Sequence, residues 1–463
     1  MHYPWWYVPH LTAPMLIAAV AIVHVLVSHY AVGGGILLAL ENQHALKTGD
    51  RRYRDYWQAH ARFFVLLTVA FGAITGVGIW WTIGLASPLA TQTLIRIFVF
   101  GWATEWVFFI VEIVSAFAMY YYWNRLPAKT HILVVWIYAV AAWISLVLIT
   151  GITAFMLNAN SLLPGGHWHD SGGFWHAFLN LQFLPQVLVR TGGSLLLATL
   201  YVYLHASIVL RKPEDADLLA HVIRRITRPL VFGLLTLGIG AIGWLVFLPE
   251  NGLLILQRAA VLNVFLGMMA ALGGIMLLLI FAGPVLFPKS MNIGFATALF
   301  FMGLLVFSIG EFVREAVRKP YVVDKVVLGN QIYTNEVAVT REKGFLEQGV
   351  WTSYAREQMP YVNVSILRSK YSVEQTQRRQ EYGHMLFMHH CNDCHAKDVG
   401  YSAVAPLLAG LSRMQIAEKI KHLNEPVLNM PPWCGTEEEA DWLAEYLVTI
   451  RPEVKAEEQN AKP

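Results

Sequence analysis

Residues 131–157 read HILVVWIYAVAAWISLVLITGITAFML. The stretch holds no Asp, Glu, Lys or Arg, and it exceeds the roughly 20 residues an α-helix needs to cross a bilayer. Hydrocarbon offers backbone N–H and C=O groups no partner, so such a run must satisfy them internally as a helix. Seven further runs read the same way, at about 12–40, 60–85, 93–123, 178–210, 229–248, 257–286 and 291–315. Composition agrees: of 463 residues, 56% are hydrophobic and only 14% charged, against roughly 25% charged in a soluble domain. The net charge of +3 is no electrostatic footprint for nucleic acid. The expected fold class is all-α, a polytopic bundle of about eight spans in a lipid bilayer, with a small all-α domain behind it.

The connections between the runs fix an expected orientation. Lys47, Arg51, Arg52 and Arg54 lie between the first two runs. Arg125 and Lys129 separate the third and fourth, and Lys289 the last two. Arg211, Lys212, Arg224, Arg225 and Arg228 separate the fifth and sixth. The other connections are nearly free of basic residues. Cytoplasmic loops carry the excess of Lys and Arg, so the N-terminus is expected outside. Eight spans then return the C-terminus to the same side. The start, Met1-His2-Tyr3-Pro4-Trp5-Trp6, lacks the basic region and cleavage site of a signal peptide. Export of the C-terminal part is therefore expected to rest on the spans, in a bacterial inner membrane.

Beyond the last run the pattern changes. Residues 1–318 form the expected membrane part, 319–372 a polar extracytoplasmic linker with short apolar patches, and 373–463 the small domain. Within it, Cys391-Asn392-Asp393-Cys394-His395 has the Cys-x-x-Cys-His form of a c-type haem attachment site. Two thiols one turn apart can form thioethers to one porphyrin, and His395 can reach the iron. A sixth ligand is expected some way downstream, and Met430, in Leu428-Asn429-Met430-Pro431-Pro432-Trp433, suits it. Met414 competes more weakly, because it begins a helical pattern and reads as core. His389 and His390 read as surface residues or propionate neighbours. Val373–Met388 is expected as the first helix and Glu437–Leu447 as the last. The third cysteine, Cys434, is left without a cysteine partner in the chain and reads as a buried thiol or a contact to a partner. This domain resembles a class I cytochrome c. The resemblance implies that Met430 is the axial ligand and that Pro406-Leu407-Leu408 faces the proximal side.

Ionisable groups inside spans are costly and mark function by default. They are His24 and His29 in the first run, Glu105 and Glu112 in the third, and Arg190 and His205 in the fifth. Arg258 opens the seventh, and Glu311, Arg314 and Arg318 close the eighth. Glu105 and Glu112 are seven apart and share a helix face, where they could relay protons, ligate iron, or simply bond a neighbouring helix. Arginines suit haem propionates. In the outer loop, His167, His169 and Asp170, followed by His176, could bind a metal or remain polar and flexible. Gly33-Gly34-Gly35 lies inside a span, where small residues allow close helix contact.

The first five runs resemble subunit I of the cytochrome bd oxidases. The matching stretches are His24-Val25-Leu26-Val27 with Gly33-Gly34-Gly35, then Ala73-Ile74-Thr75-Gly76, then Glu112 followed by Trp123-Asn124-Arg125-Leu126, and Gly151-Ile152-Thr153-Ala154. Glu311-Phe312 with Arg314 extends the likeness. It implies that His24 and Glu311 ligate the irons of a high-spin haem pair, that Glu112 lies beside that pair, and that Arg258 and Arg314 serve the haems. The family's other carboxylate falls at Thr104, next to Glu105. Its low-spin ligands fall at Arg190 and Ala260, so that haem is expected to be missing or held otherwise, with His205, Met268 and Met269 as substitutes. The family's long quinol-handling loop is reduced to about Pro249–Gln257.

The expected cofactors are one covalent haem c and membrane haem b or related haem. The expected function is a membrane electron-transfer subunit exchanging electrons between the outer haem c and bd-like haem sites within a respiratory complex. One alternative is a cytochrome c-linked terminal oxidase, with Glu105 and Glu112 as its proton path. Another is a haem c subunit merely anchored by a haem-free bundle. The expected partners are other membrane redox subunits, a periplasmic electron donor or acceptor, and quinone or oxygen.

Overall fold

The computed structural model describes residues 6–345, 373–425 and 429–452, the last helical stretch of the linker side beginning as backbone only at 373–375. Residues 1–5, 426–428, most of the expected linker (346–372) and the tail 453–463 lie outside the described residues. The chain divides into two compact units. One is Val20–Ile79 with Thr93–Val317; the other is Met1–Ala19, Trp80–Gln92 and Arg318–Pro463.

Among the described residues, eight helices are long and apolar enough to cross a membrane, as the hydropathy predicts. They are α1 (Ala13–Thr48), α2 (Arg51–Ala86), α3 (Val99–Tyr121), α4 (Ala128–Phe155), α5 (Phe183–Val209), α6 (Pro213–Val246), α7 (Ala260–Val285) and α8 (Ile293–Ala316). Polar caps, rather than the edges of the apolar runs, set where two of them start. Asp50 opens α2 by accepting from Tyr53 N, and Asn292 opens α8 by accepting from Phe295 N. Each cap satisfies one of the four orphan N–H groups of a helix start. α2 widens into a π-helical turn at Leu66–Phe71, and α7 ends in one at Phe281–Val285, where Pro284 lacks an N–H.

α5 is the central helix of its unit, with most of its residues buried, whereas the other spans turn apolar side chains outward. Lipid is as apolar as leucine, so helices in a bilayer associate by close packing rather than by a hydrophobic drive. Glycine provides that closeness. A Cβ on Gly33 of α1 would fall 2.0 Å from the Ser194 carbonyl oxygen of α5, and one on Gly192 would fall 2.3 Å from the Gly233 oxygen of α6. The helix ends beside the basic loops are tied by Glu41, which accepts a bidentate pair from Arg225 (3.0 and 3.1 Å) and a bond from Tyr53 Oη at 2.6 Å.

The second unit carries a short hairpin, β1 (Tyr321–Val323) against β2 (Val327–Leu328), and a helix at Val337–Lys343. Among the described residues beyond it, three α-helices follow: α9 (Val373–His390), α10 (Arg413–Lys421) and α11 (Glu437–Ile450). α9 and α11 cross closely, because Gly383 leaves its backbone against the Trp442 carbonyl, which a Cβ would approach to 2.3 Å. Glu439 closes a capping box with Thr436 and is itself buried. It accepts from Tyr382 Oη at 2.8 Å and from Phe345 N at 2.8 Å, so one carboxylate joins α11, α9 and the segment before 346. The N-terminal segment belongs to this unit, and His10 O accepts from Tyr401 N at 2.7 Å.

Gly33→Ala is expected to lower the stability of the detergent-solubilised chain by roughly 1–3 kcal/mol, the usual cost of overpacking. Gly84→Ala, where a Cβ meets open space, is the control, and thermal melts of both variants check the difference.

Candidate functional site

The Cys-x-x-Cys-His turn continues α9. Cys391 N donates to Phe387 O, and Cys394 N and His395 N both donate to Cys391 O. The turn therefore winds the two sulfurs and the imidazole around one end of the helix. No disulfide joins Cys391 to Cys394. Burial, reinforced by the neighbouring Cys394, pushes the Cys391 thiol up to about 12. His395 Nδ1 donates to the Ser402 carbonyl at 2.7 Å. That bond fixes the ring and leaves Nε2 as the lone-pair nitrogen, the arrangement a metal-ligating histidine needs. Burial lowers the His395 pKa, with the Ser402 bond opposing, so the ring is held in the neutral form that binds metal. These residues fit a covalently held haem.

Met430 is half-buried in an irregular stretch before Pro431, beside the buried Trp433. Met414, expected as core, is 76% exposed at the start of α10. The α10 stripe at Ile416, Ala417 and Ile420 takes the core face instead. His389 and His390 are not surface residues either. His389 is 4% exposed, and the rings of both pack on Phe345, with centroids 4.5 and 5.0 Å away. Their position next to a polar motif suggested solvent; the helix phase turns them inward. Cys434 is fully buried against Leu328 and Ile332 and donates to Pro432 O, which is the buried-thiol reading.

In the membrane unit, His24 Nδ1 bonds Thr75 Oγ1 of α2 at 3.0 Å, which leaves its other ring nitrogen for a further partner. Glu105 accepts from Ser145 Oγ at 2.9 Å. Glu112, on the same face of α3, has a buried Oε1 with no hydrogen-bond partner. An orphaned carboxylate oxygen inside a span is an expensive group to retain. Glu311 is held by Arg314 Nε at 2.9 Å, one helical turn on, so its carboxylate enters the bundle already paired. Arg190 and His29 lie within electrostatic range of Glu311, and His29 within range of His24. The position expected to have lost a low-spin ligand thus supplies a cation to the Glu311 cluster.

Other expected residues are not gathered there. Arg258 ends a separate short helix, Glu250–Arg258, and is exposed. His205 packs edge-on against His60, centroids 4.7 Å apart, and stacks on Phe63. His167 and His169 stack at 5.1 Å on an exposed loop. Among the described residues no group of three His, Cys, Asp or Glu could hold a metal ion. A haem iron takes four ligands from the porphyrin and needs only one or two from protein, so such a cluster is not what a haem site requires. His60, at the first residue of the second apolar run, is fully buried, and its contacts to Tyr30 and His205 come from helices distant in sequence.

The family model described as cytochrome bd terminal oxidase subunit I matches residues 13–245. That described as cytochrome c oxidase, cbb3-type, subunit III matches residues 378–447. No curated protein sequence matches. Among solved structures, the bd oxidase from Geobacillus thermodenitrificans superposes with a TM-score of 0.56 at 16% identity, over 68% of this chain and 88% of that one. That likeness speaks for the fold alone. Half of the sequence matched by one family model decides the matter: the chain belongs to the cytochrome bd terminal oxidase subunit I family, and carries a cytochrome-c-type domain fused behind its membrane bundle.

Proposed function

We propose that this protein is a cytochrome c-linked, bd-like terminal oxidase subunit of a bacterial inner membrane. The observation that carries the reading is the joining, in one chain, of an oxidase-family bundle at 13–245 and a cytochrome-c-type domain at 378–447. A match to an oxidase subunit favours this over a subunit that only passes electrons within a larger complex. The shortened connection at Pro249–Gln257 fits an electron port moved from quinol to haem c. The distribution of basic loops favours a periplasmic side for both termini, where a soluble donor could reach the c domain.

Bound haems supply the electron transfer and the oxygen chemistry. The chain's own residues do the rest. Cys391 and Cys394 would hold the outer haem, with His395, its ring held by Ser402, and Met430 as the residues offered to its iron. His24 and Glu311 would hold membrane haem, with Arg314 keeping the Glu311 carboxylate in place. Arg258 would be left to pair with a haem carboxylate. Glu112, unpartnered at Oε1, accepts and releases protons beside the haem, and Ser145 links it to Glu105.

Met430→Ala is expected to retain covalently bound haem on a denaturing gel while its spectrum changes to that of a five-coordinate or water-ligated iron. An unchanged low-spin spectrum removes Met430 from the axial role. Oxygen uptake by the purified full chain, driven through haem c by a reduced dye, tests the function. The parent is expected to turn over, and Glu112→Gln to lose roughly 100-fold in rate, the scale of a general acid–base group, with haem content unchanged. A parent that takes up no oxygen contradicts the oxidase reading.

A further inference from the structure

One polar cluster of the membrane unit is not used by the haem sites. His60 of α2 is fully buried. Its Nε2 bonds Tyr30 Oη of α1 at 3.2 Å. The His205 ring of α5 meets it edge-on at 4.7 Å, and the Tyr56 ring lies 6.2 Å from His60 and 5.8 Å from His205. Three buried atoms in this cluster have no hydrogen-bond partner: His60 Nδ1, His205 Nδ1 and Tyr56 Oη. A buried polar atom left unpaired costs about 1–3 kcal/mol, so three together are a strong reason to ask what they bind. Two imidazoles in edge contact leave no room for a porphyrin between them. Two histidines with tyrosines also fall short of a three-ligand metal cage, and none is found among the described residues. Imidazole does have one further chemistry, since it exchanges protons near neutral pH.

The placement fits that chemistry. His205 lies four residues before the end of α5, which leads into Arg211 and Lys212. His60 lies nine residues after Arg51, about 13 Å along the helix axis. Both are on the side of the bundle that carries the basic loops. Beyond His60, α2 opens into its π-helical turn at Leu66–Phe71, a distortion that recurs at functional sites. Thr68 lies in that turn, and Tyr138 of α4 is within electrostatic range of both Tyr30 and Glu112. The titratable groups facing His60 are Tyr30, Tyr56 and His205; Tyr201 stacks on Tyr30 at 4.0 Å.

We propose that His60, His205, Tyr30 and Tyr56 form a proton-loading site on the cytoplasmic half of the bundle, feeding Glu112 by way of Tyr30 and Tyr138. The idea rests on the oxidase reading, which supplies the demand for protons. A proton taken at His60 Nδ1 is matched by one leaving Nε2 for the Tyr30 oxygen, whose own proton moves on, so no net charge stays behind. Two rings in contact repel as cations, so the pair carries one proton at a time.

Deuterium exchange at the histidine Cε1 position, read by mass spectrometry on the full chain in lipid nanodiscs, tests the site without turnover. His167 on its exposed loop is the fast reference, and His131, buried and bonded to Met119 O, the slow one. His60 and His205 are expected to exchange at rates nearer His167; rates at or below that of His131 overturn the proposal. In proteoliposomes, His60→Gln and Tyr30→Phe are expected to slow oxygen-coupled proton uptake from the cytoplasmic face by roughly tenfold or more, with haem content unchanged. Unaltered uptake also overturns it. Should the parent itself reduce no oxygen, the oxidase reading fails by that control, while the exchange rates still decide whether the cluster takes protons from water.

Discussion

An ionised side chain within hydrocarbon is tolerated only where a partner, a cofactor or water faces it. That constraint arranges the membrane unit. Glu41 has Arg225 and Tyr53, Glu311 has Arg314 with Arg190 in range, and Glu105 has Ser145. The Glu41 and Glu105 pairings each join separate helices, whereas Glu311–Arg314 lies within α8, and the glycine contacts at Gly33 and Gly192 let the backbones close against α5. Glu112 Oε1 and the His60–His205 pair are informative by contrast, because they keep unpartnered titratable atoms inside the bundle.

Arg190 has a physical consequence for the carboxylate it faces. Arg314 bonds Glu311 from one helical turn away on α8. Arg190 of α5 brings a second cation within electrostatic range, and His29 completes a polar cluster across α1, α5 and α8. In the c domain, Glu439 plays the comparable part, joining α9, α11 and the segment ahead of them through one buried carboxylate.

The eight spans were legible in the sequence because hydropathy over some twenty residues is a direct readout of the lipid environment. The cytochrome-c-type domain was legible because Cys391, Cys394 and His395 stand close together in the chain. Helix ends were less so, since Asp50 caps α2 well before its apolar run while Asn292 caps α8 within its run. Orientation of single side chains was the hardest. His389 and His390 face inward and Met414 outward, and neither follows from composition. His60 escaped notice because its partners, Tyr30 and His205, come from helices distant in sequence, and only packing brings them together.

The central claim is that haem c serves a membrane bundle that itself holds haem. Pyridine haemochrome spectra of the purified full chain, with protein quantitation, test it most directly. The account predicts one haem c per chain together with at least one non-covalent haem that is lost or diminished in His24→Ala or Glu311→Ala. A ratio of one haem per chain, all of it c-type, would contradict the account and leave the bundle as an anchor.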